Sequence, residues 1–128
     1  MRVLVDAHAL IWYVDQDHLL STTAHAAITS AGNDLFLSAA TIWEISIKVG
    51  LQKLSLSLPY RQWMNKAIAD LRLTLLPITV EYADAQATLP RHHGDPLDRM
   101  LVAQALAERL SVVSADTVLD QYGPKRIW

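Results

Sequence analysis

Apolar residues fall into two kinds of stretch that alternate along the chain. Short aliphatic or β-branched runs occupy residues 2–5, 35–37, 73–76 and 112–113, and residues 127–128 are predicted to add an edge strand. Such runs are typical of parallel strands buried on both faces. The longer stretches between them have helical spacing, and parallel strands need crossovers that are usually helical. The pattern therefore predicts an α/β fold, a three-layer α/β/α sandwich with a short, largely parallel central sheet.

The predicted helices begin and end at residues that favour helix termini. Ser21 and Ser38 are predicted N-caps, and Gly32 and Gly50 are the glycines expected to end the same two helices. Further helices are predicted for residues 7–14, 60–72 and 80–89, and a short one that ends near residues 122–124. We expect Trp43 to contribute to the inner, core-facing side of the helix that follows Ser38. Residues 54–58 alternate between leucine and serine, which predicts a short extended arm.

Residues 92–106 predict a loop that breaks at Gly94 and then the most sharply defined helix of the chain, which extends to about residue 110. Asp95 suits the N-cap, and Pro96 suits the first helical position because its missing N–H costs nothing there. Apolar residues then surround most of the helix, so we expect it to be buried against the sheet. Its first turn nevertheless carries Asp98 and Arg99. A capping arrangement between Asp95 and Asp98 is the structural explanation for these acids.

Composition places limits on the class of protein. The chain has 128 residues, which predicts a single domain over residues 1–128, and 52% of them are hydrophobic, enough for a packed core. No run approaches the roughly 18 apolar residues of a membrane span, so no membrane partner is expected. The absence of cysteine fits a reducing compartment and predicts a cytoplasmic protein. A net charge of −2 argues against a broad basic face for nucleic acid, so any such contact must be local or mediated by metal.

Four acids stand where predicted elements meet. Asp6 and Asp116 each follow an apolar strand, Glu44 lies within a helix, and Asp98 lies in the first turn of another. Ligands of such sheets bind outside the carboxyl ends of the strands. Gathered there, two bare carboxylates would repel by roughly 4 kcal/mol at ~4 Å and an effective dielectric constant near 20. Such a cluster holds protons or binds hard cations, and Mg²⁺ or Mn²⁺ is the expected occupant.

Each acid also has a purely structural explanation. Asp6 suits the N-cap of the helix that follows it, and Asp116 suits a turn. Glu44 and Lys48 are four residues apart in the favourable orientation, which is the pattern of a surface salt bridge. No single position decides between these readings, and the combination of four favours the metal site.

The chain resembles a known family, the PIN-domain ribonucleases, and within it the VapC-like toxins of bacterial toxin–antitoxin pairs. Four segments carry the resemblance, in the same order and at fitting spacing: VLVDAHAL at 3–10, SAATIWEI at 38–45, DPLDRMLVAQA at 95–105 and VSAD at 113–116. The second and third are quite specific, and the first and fourth would be weak alone. Residue 97 is leucine where many relatives have an aromatic residue, a difference of packing.

The resemblance implies a metal-dependent ribonuclease whose four acids converge on one or two Mg²⁺ or Mn²⁺ ions. Matched by position, the catalytic and metal-binding residues are Asp6, Glu44, Asp98 and Asp116. Asp6 and Asp98 are expected to hold the main ion. Asp120 is the alternative to Asp116 as the fourth acid. Candidate substrate-binding residues are Arg99, Lys48 and Ser114, of which Ser114 fits the small hydroxyl residue before the fourth acid.

The resemblance also implies partners. They are an RNA substrate, a small antitoxin protein whose tail covers the acidic pocket, and a second copy of the chain in a homodimer. A toxin of this kind inhibits translation or growth by cutting RNA. The alternative is a PIN-like module that binds RNA or protein without catalysis, against which the presence of all four acids argues. An aspartyl-phosphate phosphatase fits less well, because His8 stands where its second acid belongs.

Overall fold

The computed structural model describes the whole chain, residues 1–128, around one parallel sheet. Its strands are β1 (Arg2–Val5), β2 (Asp34–Ser38), β3 (Thr74–Leu76), β4 (Ser111–Val113) and β5 (Arg126–Ile127). They lie in the order β3-β2-β1-β4-β5, and every neighbouring pair is parallel. The predicted α/β class is confirmed.

Helices cover both faces of this sheet. They are α1 (Ala7–Asp15), α2 (Thr22–Thr29), α3 (Ala39–Gly50), α4 (Tyr60–Asp70), α5 (Val80–Ala87) and α6 (Pro96–Glu108), with short 3₁₀ helices at Asp17–Leu19 and Thr117–Gln121. One buried cluster joins the sheet to α1–α4, and a second joins it to α6. None of these helices combines the length and apolarity that crossing a bilayer requires.

Strand β1 shows how the sequence produces three layers. Val3, Leu4 and Val5 are all fully buried. Val3 and Val5 belong to the cluster on one face, whereas Leu4 belongs to the cluster on the other. Because successive side chains of a strand point to opposite faces, an unbroken apolar run can only be buried if both faces are covered. The run at residues 3–5 therefore requires helices on each side of the central strand.

Side-chain caps fix where the helices start. Ser21 Oγ and Ser38 Oγ accept the backbone N–H groups of Ala24 and Ala40, each at 3.0 Å. Asp95 Oδ1 accepts the N–H of residue 97 at 2.9 Å and of residue 98 at 3.3 Å. All three predicted N-caps are confirmed. Each satisfies helix-terminal N–H groups that would otherwise lack a partner.

Three local expectations were wrong. Helix α2 ends at Thr29 rather than Gly32, because the side chain of Asn33 donates to the carbonyl of Ala27 at 2.9 Å and turns the chain earlier. Residues 54–58 form no strand. Trp43 is 60% exposed and does not join the core. Trp63, by contrast, is 1% exposed and is a core residue.

Asp15 explains why residues 54–58 are irregular. Its carboxylate accepts the backbone N–H of Ser57 at 3.0 Å and the Ser57 hydroxyl at 2.6 Å. The indole N–H of buried Trp63 donates to the same carboxylate at 3.0 Å. One acid at the end of α1 thereby fixes the segment that precedes α4.

We expect Asp15→Ala to destabilise the protein by about 2 kcal/mol, because three donors lose a charged acceptor and the indole N–H is left buried without a partner. Urea unfolding measures this loss. Asp17→Ala is the matched control: Asp17 is exposed and its side chain accepts no hydrogen bond, so its effect should stay within about 0.5 kcal/mol. Equal effects of the two substitutions would contradict the role given to Asp15.

Candidate functional site

The carboxyl ends of β1 and β4 lie side by side, and this brings two of the predicted acids to one edge of the sheet. The two strands are in register with Val5 opposite Val113. Asp6 continues from β1 and its N–H donates to the carbonyl of Val113 at 3.2 Å. Ser114 and Asp116 follow β4 directly. The strands that carry Asp6 and Asp116 are therefore neighbours.

A single pocket of about 160 Å³ lies beyond this edge. All four predicted acids line it, although they come from four separate parts of the chain. Its remaining lining includes Lys48, which was predicted to contact substrate, and Asp95, the cap of α6. The lining residues are Asp6, Ala7, His8, Glu44, Lys48, Asp95, Leu97, Asp98, Leu101 and Asp116.

Asp6 is both a helix cap and a member of the pocket. It is 9% exposed, and its Oδ1 accepts the N–H of Ala9 at 2.8 Å, which caps α1. Burial raises the pKa of Asp6, and hydrogen bonds from Ser114 and from the Ala9 N–H oppose that rise. Burial is the larger effect. The two explanations offered for this residue are therefore compatible.

Asp98 shows the cost of gathering carboxylates. Burial, followed by the charges of Asp95, Glu44 and Asp116, raises the pKa of Asp98 to about 6, and His93 opposes the rise. A carboxyl whose charged form is this disfavoured at neutral pH gains most from a nearby cation. The electrostatic environment of Asp98 therefore favours the binding of a cation.

The other two acids are held differently. Glu44 Oε2 lies 3.1 Å from Lys48 Nζ, so the predicted salt bridge forms, and it forms inside the pocket. Asp116 is exposed and accepts the N–H of Val118 at 3.0 Å, as the N-cap of a 3₁₀ helix. The hydroxyl of Ser114 accepts the N–H of Asp116 at 3.0 Å, and its lowering effect on the pKa of Asp6 indicates that it also lies near that carboxylate. Ser114 therefore lies beside both strand-end acids.

Asp120, the alternative fourth acid, is engaged elsewhere. Its two carboxylate oxygens accept from Arg126 at 2.9 and 3.2 Å, a bidentate pair. It does not line the pocket, whereas Asp116 does. A paired carboxylate outside the pocket is the weaker candidate, so we retain Asp116 as the fourth acid.

The pocket fits a hard divalent cation by the chemistry of its donors. Four carboxylates offer oxygen ligands, and the chain has no thiolate to select a softer metal. As the side chains stand, no three acidic or histidine groups approach closely enough to coordinate one ion together. Bare carboxylates repel one another, and Glu44 is drawn to Lys48 instead. Ion binding therefore requires these side chains to reorient.

The prediction that Arg99 contacts substrate does not agree with the position of its side chain. Its side chain is 1% exposed and absent from the pocket lining. Its guanidinium donates to the carbonyls of Pro90 and Gln86, each at 2.9 Å, and of Leu89 at 3.2 Å. These bonds hold the end of α5 and the loop before α6 against α6. In the sequence Arg99 lies beside the acids. The sequence does not show that its position on the helix directs the side chain away from the pocket and toward the preceding loop.

We expect Asp98→Asn to stabilise the metal-free protein at neutral pH. The folded state holds the Asp98 proton more tightly than the unfolded chain, because the pKa rises from 3.8 to about 6. That contribution is full below pH 3.8 and is lost as the pH rises through about 6. Asparagine does not titrate, so Asp98→Asn is not subject to this loss. Its free energy of unfolding at neutral pH should exceed that of the wild type by about 1 kcal/mol, after allowance for solvent screening.

Urea unfolding in a chelator, at about pH 4 and again at about pH 7.5, measures this gain. The two proteins should differ only at the higher pH. A gain of the same size at both pH values would show that charge repulsion is not its source.

The family model of the PIN domain matches residues 3–124. The chain therefore belongs to the PIN-domain family, which agrees with the resemblance seen in its sequence. Comparison with curated protein sequences gives no significant match.

Solved structures agree on the fold. A chain of VapBC2 from Rickettsia felis, bound to a DNA fragment from its promoter, superposes with a TM-score of 0.70 at 13% identity, covering 98% of this chain and 97% of that one. A chain of a toxin–antitoxin complex from Klebsiella pneumoniae gives 0.67 at 20% identity, with 98% and 96% covered. FitAcB from Neisseria gonorrhoeae gives 0.62 at 18% identity, with 97% and 95% covered.

Proposed function

We propose that the protein is a Mg²⁺- or Mn²⁺-dependent ribonuclease that hydrolyses phosphodiester bonds. The observation that carries the proposal is the pocket in which four acids, from four separate parts of the chain, meet beside the carboxyl edge of the sheet. Family membership supports it, because the matched residues include all four acids. A pocket with this negative charge repels RNA, so binding of substrate should require the metal ion.

The residues have distinct roles in this proposal. Asp6 and Asp98 would hold the main ion, Asp116 would share it or its waters, and Glu44 would hold a second ion or orient the attacking water. When bound, the metal supplies a nucleophilic water of lowered pKa and stabilises charge on the phosphate. Ser114 was predicted to contact substrate, but its side chain is fully buried and does not line the pocket, so we assign it instead to holding Asp116, whose N–H its hydroxyl accepts.

Lys48 is the cation that the pocket offers to a phosphate. Its Nζ is paired with Glu44 at 3.1 Å and its side chain is 35% exposed. If Glu44 turns to a metal ion, the ammonium becomes available to a substrate oxygen. We therefore keep Lys48 as a substrate-binding residue and remove Arg99 from that role.

We further propose that the protein is the toxin of a toxin–antitoxin pair. Support comes from the fold, which one protein of a Klebsiella pneumoniae toxin–antitoxin complex shares over nearly its whole length. The expected partners are a small antitoxin protein and a second copy of the chain. The expected place of action is the cytoplasm, consistent with the absence of cysteine.

A metal titration of purified protein tests the enzymatic part. Cleavage of single-stranded RNA should appear on addition of Mn²⁺ or Mg²⁺, stop on addition of EDTA, and return when excess metal is restored. RNA binding without cleavage at any metal concentration would instead favour the non-catalytic module. Ca²⁺ serves as a control, because it binds oxygen ligands with a looser geometry than Mg²⁺.

A further inference from the structure

His93 bridges the acidic pocket and a tyrosine behind it. Its Nδ1 lies 2.6 Å from the hydroxyl oxygen of Tyr122, and its Nε2 lies 3.6 Å from Asp98 Oδ2. This Nε2 is buried and makes no hydrogen bond. A buried ring nitrogen without a partner is costly unless the neighbouring carboxylate serves it. The imidazole is thus placed to act on Asp98.

The hydrogen bonds of Tyr122 determine which ring nitrogen carries the proton. Its oxygen accepts the backbone N–H of His93 at 3.2 Å and the Arg99 guanidinium at 3.5 Å. With two donors already directed at the oxygen, the hydroxyl hydrogen is free to be donated to Nδ1. Nδ1 is then an acceptor, and the proton of the neutral ring lies on Nε2.

The opposite tautomer is disfavoured at both ends. A proton on Nδ1 would direct a third donor at the Tyr122 oxygen. The tyrosine hydroxyl hydrogen would then lose Nδ1 as its acceptor. Nε2 would then present a lone pair to the Asp98 carboxylate, so that two acceptors would face each other. Both effects favour the Nε2–H form.

We propose that His93, held as the Nε2–H tautomer by Tyr122, is a positioning residue that donates to Asp98 Oδ2 and orients that carboxylate toward the metal. The proposal rests on the proposed function, because it takes Asp98 to be a ligand. The present separation of 3.6 Å exceeds an ordinary hydrogen bond of about 2.9 Å by a distance that a small rotation closes. Ligating carboxylates are commonly hydrogen-bonded in this way, and loss of such a partner typically weakens metal binding about 10–100-fold.

The tautomer can be measured without any activity. We expect ¹⁵N–¹H correlation spectra of the histidine rings, recorded on metal-free protein at a pH where the ring is neutral, to show His93 as the Nε2–H form. Tyr122→Phe should reduce this bias, because the phenyl ring offers Nδ1 no hydrogen. An Nδ1–H form in the wild type would overturn the proposal. The His93 signals are assigned by their loss in His93→Gln.

Metal binding provides the second measurement. Titration calorimetry with MnCl₂ should show about tenfold weaker binding for His93→Leu, with partial recovery in His93→Gln, whose amide can donate in place of Nε2. His92→Leu is the matched control: His92 is exposed, packs edge-on against Tyr122 and makes no hydrogen bond to an acid, so its affinity should match the wild type. Equal affinities for His93→Leu and His92→Leu would overturn the proposal.

The two measurements separate this inference from the proposed function. If the wild type bound no metal but had the Nε2–H tautomer, the nuclease would be contradicted while the His93–Tyr122 arrangement stood. If it cut RNA with metal but showed the Nδ1–H tautomer, the reverse would hold. Should His93→Leu fail to fold, the wild-type and Tyr122→Phe spectra still decide the matter.

Discussion

Replacing Asp98 by asparagine should lower metal-dependent RNA cleavage by about a hundredfold or more. The change removes one negative ligand from a site whose ion is expected to supply several kcal/mol of transition-state stabilisation, and each 1.4 kcal/mol corresponds to about tenfold in rate. Single-turnover cleavage with saturating Mn²⁺ measures the effect on the chemical step. Asp6→Asn should behave alike, since both acids are assigned to the main ion.

Asp120→Asn is the matched control for this loss. It makes the same chemical change, but at an acid that pairs with Arg126 outside the pocket. Its cleavage rate should stay within about twofold of the wild type. Because Asp98→Asn is expected to stabilise the metal-free fold, its loss of activity cannot be attributed to unfolding. Equal activity of Asp98→Asn and the wild type would remove Asp98 from the reaction.

Replacing Arg99 by methionine should destabilise the protein by about 4 kcal/mol. Methionine fills much of the volume but donates nothing, so three carbonyls, one at the end of α5 and two in the loop before α6, lose their partner, each at a cost of about 1–3 kcal/mol. Arg99→Lys should recover only part, because an ammonium cannot span the carbonyls as the planar guanidinium does. Urea unfolding of the metal-free protein gives the difference.

Arg61→Met is the control for this prediction. Arg61 lies on α4, is exposed and makes no hydrogen bond, so its loss should cost less than about 0.5 kcal/mol. The result also decides between two roles for Arg99. A phosphate-contacting arginine would lose activity with stability unchanged, whereas the arginine seen here should lose stability. Unchanged stability in Arg99→Met would contradict the loop-fixing role.

The sheet and the helix caps were predictable because they depend on local signals. The apolar run at residues 3–5 demands cover on both faces, and serine or aspartate before a helix satisfies its free N–H groups wherever the chain goes next. The places of Asp6 and Asp116 at the carboxyl ends of strands could be read from the sequence in the same way. The pairing of β1 with β4, which brings these two acids together, could not.

The remaining features depend on tertiary contacts that no local pattern encodes. The residues around Trp43 favour an inner helix face, yet its ring is mostly exposed. Residues 54–58 alternate like a strand, but Asp15 binds Ser57 and no strand edge meets them. Arg99 and Tyr122 are 23 residues apart and meet only in the folded chain. Proximity in sequence to the acids could not distinguish Arg99, which turns away, from His93, which faces Asp98.

Anomalous diffraction from crystals grown with Mn²⁺ is the most direct test of the claim that the acids form one cation site. We expect a manganese peak inside the pocket, with oxygens of Asp6 and Asp98 at about 2.0–2.6 Å from it and Asp116 or Glu44 bound directly or through water. The peak should vanish in Asp98→Asn crystals grown alike. Manganese bound only elsewhere on the protein, with the four carboxylates still apart, would contradict the claim.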